Sequence, residues 1–189
     1  GNLLDGDGDG TPGDDYAGSF AVAAPPTGAV TVSLPNFARG YGQSVQLPAD
    51  EPAAGLPLAI SRGLGVTRVE LSVHYDPSLL RISAFSLNSA VQARGGQRAL
   101  EISTPGVAVL TITAATGLAE AAGPLTLGTF TAAVPNDARY AGKHILDIRN
   151  LRVYDDAAVP VELPALDGDA VHVAAYFGDS DGNLGYNSL

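Results

Sequence analysis

The sequence predicts an all-β chain, an antiparallel jelly-roll or Ig-like β-sandwich of about nine to ten strands. Three observations carry that expectation. Short stretches alternate apolar and polar residues with a period of two, most clearly at residues 67–75. Turn-forming clusters of Gly, Pro, Asn and Asp separate these stretches. A content of 23 Gly and 13 Pro in 189 residues suits short strands and frequent turns better than long helices. The hydrophobic fraction of 46% supports a core built mostly of Ala, Val and Leu, with aromatics at only 6%. The length allows one sizeable sandwich and is too short for two full domains of ordinary size.

In chain order, residues 1–16 form a Gly/Asp-rich loop with no apolar period. The short apolar run Phe20, Ala21, Val22 then leads into Ala24-Pro25-Pro26-Thr27-Gly28, a boundary signal. Strands are expected at residues 29–34, 44–47, 58–60, 67–75, 80–85, 100–103, 107–113, 125–134, 145–148, 151–154 and 171–176. In the fourth of these, Val69, Leu71, Val73 and Tyr75 share one face, and Arg68, Glu70, Ser72 and His74 the other, so one side is wet. It stops at Asp76-Pro77-Ser78, where Asp caps a turn and Pro fixes φ. An Ala-rich piece at residues 116–122 is compatible with a helical turn ended by Gly123-Pro124. No solenoid-length repeat is visible.

The formal net charge is −10, and its placement says more than its size. Asp5, Asp7, Asp9, Asp14 and Asp15 lie at one end and Asp179 and Asp181 at the other, whereas every Lys and Arg falls between Arg39 and Arg152. Acid at the ends and near balance between them argues against nucleic acid and for cations at the termini. Five carboxylates within eleven residues repel one another unless a cation sits among them. Calcium suits them, because it takes six to eight hard oxygen ligands in irregular geometry. Cysteine is absent, which removes disulfides, thiolate metal sites and cysteine nucleophiles. Methionine is absent as well, even at position 1, and the expectation is a processed or excised piece. No stretch approaches the length of a membrane span.

Catalysis is not expected. No G-x-S-x-G elbow occurs, and Glu70, Glu101, Glu120 and Glu162 are isolated carboxylates, not a pair flanking a cleft. His74, His144 and His172 are far apart and share no ligand spacing. His74 and His172 alternate with apolar neighbours, which places both on outward strand faces.

Gly42-Gln43-Ser44-Val45-Gln46-Leu47-Pro48, followed by the alternating strand ending in Tyr75-Asp76-Pro77-Ser78-Leu79-Leu80, resembles the cohesin modules of bacterial surface proteins. The later strands at residues 106–114 and 123–135 are similar to the family's second half. The resemblance covers roughly residues 28–175 and implies a non-catalytic, extracellular jelly-roll sandwich that binds proteins. In that family the sheet face corresponding to Arg68, Glu70, Ser72 and His74 contacts a dockerin partner, and mixed charge with one His suits a partner-reading surface.

The tail, residues 178–189, resembles the start of a dockerin calcium loop. Carried over, Asp179, Asp181 and Asn183 take loop positions 1, 3 and 5, the Gly185 carbonyl position 7, and Asn187 position 9. Leu184 stands where the loop prefers Gly, and the chain stops one residue before the bidentate acid. The head resembles the closing segment of bacterial Ig-like repeats. Asp5, Asp7, Asp9 and Gly10 match the loop start D-x-D-x-D-G, with Thr11 next; position 12 is Tyr16, so Asp14 or Asp15 would close the shell.

The expected organisation is therefore an acidic calcium-type segment with a short strand and linker at 1–27, a cohesin-like sandwich at 28–176 and a truncated dockerin-like loop at 177–189. The expected partner is a dockerin-like segment or neighbouring copies of the chain. Two other readings stand beside this one. The first is a calcium-dependent extracellular filament assembled by strand donation from the run at Phe20, Ala21 and Val22. The second is a carbohydrate-binding sandwich, weakened by the absence of Trp.

Overall fold

A computed structural model describes residues 21–22, 24–47 and 55–176. Twelve strands and one short helix follow one another in the described residues. They are β1 (Val30–Ser33), β2 (Phe37–Ala38), β3 (Leu56–Ile60), β4 (Val66–His74), β5 (Arg81–Leu87), α1 (Ser89–Ala93), β6 (Gln97–Glu101), β7 (Val107–Thr113), β8 (Leu125–Ala133), β9 (Lys143–Asp155), β10 (Glu162–Leu163), β11 (Ala165–Gly168) and β12 (Ala170–Val173). They form two facing sheets, one in the order β11-β1-β3-β8-β5 and the other in the order β2-β12-β9-β4-β7-β6, with β10 also paired to β9. The chain is an all-β sandwich.

Alternation becomes layering as the period of two requires. On β4, Val69, Leu71 and Val73 are buried and meet Leu56, Leu58 and Ile60 of β3 in one continuous core. Phe85 of β5 and Phe130 of β8 are fully buried and pack edge to face with ring centroids 4.7 Å apart. Each large ring removes on the order of 150–250 Å² from water, so this pair supplies much of what an aromatic-poor core has. Gly128 makes the approach possible: a Cβ there would run into the Ser86 carbonyl and the Phe85 ring.

The strands expected at residues 145–148 and 151–154 are one long strand, β9, interrupted by a bulge. Against β4 the register passes from Ser72↔Arg149 to Glu70↔Arg152, and Asn150 takes φ 54°. Asn is among the few side chains that accept this left-handed conformation. The Ala-rich piece at 116–122 is not a helical turn. Its amides bond across the chain instead, Leu118 N to Val66 O at 2.7 Å and Ala119 N to Gly63 O, while the Leu118 side chain is buried in the core. The helix α1 lies elsewhere, started by Asn88, whose Oδ1 accepts the Ala90 amide at 2.7 Å. Ala21 and Val22 are exposed and outside any strand, and Phe20, the first residue of that short run, lies outside the described residues.

Two pairings close the sandwich. β1 runs parallel to β11, from Val30↔Ala165 through Ser33↔Gly168, and β2 runs parallel to β12, with Phe37↔His172 and Ala38↔Val173. The first two strands thus lie beside the last two, one pair in each sheet, and the remaining pairings are antiparallel.

Candidate interaction face

The outer face of the sheet containing β4 is built row by row from its register. Arg68, Glu70, Ser72 and His74 leave β4 on the side opposite the buried Val69, Leu71 and Val73. Pairing with β7 and β9 sets Val107 and Asp147 beside His74, Val109 and Arg149 beside Ser72, and Thr111 and Arg152 beside Glu70. Two residues before Asp147 on the same face, Ile145 is 58% exposed and faces Val171 across the β9–β12 pair. Val109 and Val171 are each 43% exposed. Single exposed aliphatics are ordinary; here Ile145 and Val171 form one adjacent pair, and Val109 lies apart on β7 in the Ser72 row.

The charges of this face are neutralised within it. Arg68 pairs with Glu70, Arg149 with Asp147 at 2.6 Å, and Arg152 with Glu162 of β10 at 2.9 Å. The Arg68 and Arg152 guanidinium groups each lie 5.3 Å from the centre of the Tyr154 ring, so the two pairs join in a row through the aromatic. The hydrogen bond to Glu162, and then its charge, raise the Arg152 pKa above the ordinary guanidinium value. Ser72 is buried despite facing outward, because the bulge brings Asn150 over it. Asn150 Nδ2 donates to Ser72 Oγ at 3.2 Å, Ser72 Oγ donates to the Arg149 carbonyl at 3.2 Å, and His74 Nε2 lies 3.1 Å from the same hydroxyl. A shallow groove of about 480 Å³ runs over these residues between Glu70, His74, Val107, Val109, Asn150 and Arg152. A neighbouring one of about 580 Å³ lies beside Arg68, Gln97, Thr113 and Tyr154.

Sequence reasoning found the β4 row and missed the rest of the face. The alternation of Ile145 and Asp147 was readable, but the bulge that seats Asn150 on Ser72 and the pairing that adds Glu162 were not.

His172 does not lie on an outward strand face, where the alternation put it. It is fully buried and stacks on Phe37 at 4.6 Å, and its neighbour Val171 is the outward residue. Its partner across the strand pair is His144, and His144 Nε2 lies 2.9 Å from His172 Nδ1. The backbone amide of Asp76 donates to His144 Nδ1 at 2.9 Å. The Asp76 turn forms as expected: Ser78 Oγ and Ser78 N donate to its carboxylate at 2.6 and 2.8 Å, which lowers its pKa, and its carbonyl accepts from Leu79 and Leu80.

The isolated carboxylates Glu101 and Glu120 lie in solvent, where Glu120, 85% exposed, pairs with Arg94 at 3.0 Å and Glu101 accepts from Ser103 Oγ at 2.9 Å. Tyr41, Tyr140 and Tyr176 gather at one end, with Tyr176 against Gly40, where a Cβ would overlap its ring. The calcium ligand candidates Asp5, Asp7, Asp9, Thr11, Asp14 and Asp15, and Asp179, Asp181, Asn183, Gly185 and Asn187, lie outside the described residues. Among the described residues no three His, Asp or Glu side chains are grouped to hold a metal ion, and no helix is long and apolar enough to cross a membrane.

No protein-family model matches the chain, and no curated protein does. Solved structures do. A non-cellulosomal cohesin from the archaeon Archaeoglobus fulgidus superposes with a TM-score of 0.60 at 14% identity, covering 77% of this chain and 90% of that one. The seventh ScaB type I cohesin from Pseudobacteroides cellulosolvens gives 0.63 at 12% identity over 81% and 96%. A type I cohesin–dockerin complex from Clostridium thermocellum gives 0.59 at 11% identity over 82% and 97%. At these identities the likeness is one of architecture, and the conclusion it carries is that this chain folds as a cohesin-like jelly-roll β-sandwich.

Proposed function

We propose that the chain is a non-catalytic, extracellular protein-interaction module of a bacterial surface protein, that the outer face of β9, β4 and β7 reads the partner, and that calcium stabilises its acidic ends. The observation that carries this reading is the combination of a cohesin-like fold with a face that joins ion pairs to exposed Val109, Ile145 and Val171. Several of the similar structures are cohesins in complex with dockerins. A dockerin-like calcium-loop segment is therefore the first partner to test. Because Arg68, Arg149 and Arg152 already have carboxylate partners, the face needs no compensating charge from outside, and apolar contact at Val109 and Ile145 would dominate affinity.

The test is calorimetric titration of the chain with calcium-loaded dockerin modules, repeated with Val109→Asp. Saturable binding lost in the variant supports the reading. Binding unchanged by Val109→Asp, or no binding to any dockerin tried, overturns the assignment of face or partner respectively.

A filament of neighbouring copies is a second reading, favoured by one observation: Ala21 and Val22 are exposed and outside any strand, with Val22 82% accessible, while β5 and β6 end their sheets. Sedimentation of the chain with calcium separates the two, since strand donation gives growing oligomers and a binding module gives a monomer.

A further inference from the structure

The Asp76–His144–His172 chain lies off the partner face: it runs from the exposed Asp76 turn through half-buried His144 to fully buried His172, on the side of β9 and β12 opposite Ile145 and Val171. Its hydrogen bonds determine its protons. Since His144 Nδ1 accepts the Asp76 amide, neutral His144 carries its proton on Nε2 and donates to His172 Nδ1. The remaining proton of neutral His172 is then on Nε2, which is buried without a hydrogen-bond partner. Every ring lone pair of the two histidines is thus occupied by a donor. One further proton on either ring sets two N–H groups against each other, at Asp76 N or between the rings.

The surroundings give a protonated ring little help. Phe37 covers His172 from β2, and neighbouring Ala170 and Ala174 are buried with it. From the β4–β5 turn, Asp76 supplies an opposing carboxylate, which acts on His144. Just after β2, the Arg39 guanidinium is directed elsewhere, donating to the Ala38 and Gln46 carbonyls, while the Arg39 backbone favours charge on His172, ranking behind burial and His144. Lys143, next to His144 on β9, is exposed, and His74 of β4 is held by Ser72 on the outer face.

We infer that this histidine pair is an acid-released latch, which at neutral pH holds β2 and β12 to the edge of the sheet and on acidification lets those two strands open locally. The strands it secures are short, two and four residues, so the ring contacts between β2, β12 and β9 add to a small set of hydrogen bonds, Arg39 N to Val173 O and Val171 N to Asn36 Oδ1 among them. They are also the strands that set the beginning of the sandwich beside its end. Burial, and then the neighbouring His144, lower the His172 pKa to about 4. Against about 6.5 in an opened strand, that difference raises the opening equilibrium roughly thirtyfold between pH 7.5 and pH 5.

Amide hydrogen exchange on the full chain, corrected for the intrinsic pH dependence of exchange, reads this directly. Protection of β2 and β12 is expected to fall about thirtyfold at pH 5 while β3 and β8 keep theirs. His172→Phe, which retains the stack on Phe37, is expected to remove most of the pH dependence, leaving the part that His144 carries. If that variant does not fold, His144→Gln decides: its amide can accept from Asp76 and donate to His172 without titrating, and the fall is expected to shrink. Equal protection at both pH values in the wild-type chain, or an equal fall in the variant that folds, overturns the latch.

Discussion

His144 Nε2 and His172 Nδ1 meet at 2.9 Å across the β9–β12 pair, although 28 residues separate them in the chain. Burial leads in holding both rings below the ordinary histidine pKa, with His172 at about 4. The unfolded chain therefore takes up a proton near pH 6.5 that the folded chain refuses until about pH 4. The resulting stability is complete above about pH 6.5 and is lost as the pH falls through that window. Urea unfolding is expected to show about 2 kcal/mol less stability at pH 5 than at pH 7.5 from His172 alone. The loss should shrink in His172→Phe to the part that His144 contributes; a wild-type profile that is flat across this range contradicts it.

The Phe85–Phe130 contact bridges β5 and β8 with both rings fully buried. Phe130→Ala leaves a ring-sized cavity in a core with few other aromatics. The expected loss is about 3–5 kcal/mol, read as a lower urea midpoint with an unchanged slope.

Asn150 occupies a left-handed position at the β9 bulge while donating to Ser72. Asn150→Gly keeps the backbone conformation at little cost, whereas Asn150→Val forces a β-branched residue into it. A destabilisation of about 1–2 kcal/mol is expected for Val and well under about 1 kcal/mol for Gly, measured by thermal unfolding of the two variants side by side.

Val109→Asp alters a side chain that is 43% exposed and outside the core. Its effect on stability should stay within about 0.5 kcal/mol. Partner binding is expected to fall by roughly tenfold or more, so paired melting and calorimetric measurements separate a surface effect from a folding one.

Calcium is expected to raise the melting temperature of the full chain and EDTA to reverse the rise. Saturation at about 100 times the dissociation constant contributes about 2.7 kcal/mol if binding is confined to the folded state. Replacing Asp5, Asp7 and Asp9 with Asn should remove most of that response; a chelator without effect on the untreated chain speaks against bound ions at either end.

The sequence by itself determined the class of fold, most strand positions and the two faces of β4, because a two-residue period with Val69, Leu71 and Val73 on one side leaves a single sensible orientation. The turn at Asp76-Pro77-Ser78 was equally legible, being local chemistry. Tertiary structure alone decided the parallel closure of β1 on β11 and β2 on β12, since such short strands gain their hydrogen bonds from partners at the far end of the sandwich. It also decided that His172 turns inward. In Ala170-Val171-His172-Val173-Ala174 both parities carry apolar residues, so alternation does not choose between them. The choice fell to pairing with Ile145 and Leu146, to the small Ala side chains that leave room for a ring, and to Phe37, which supplies a surface for it to stack on.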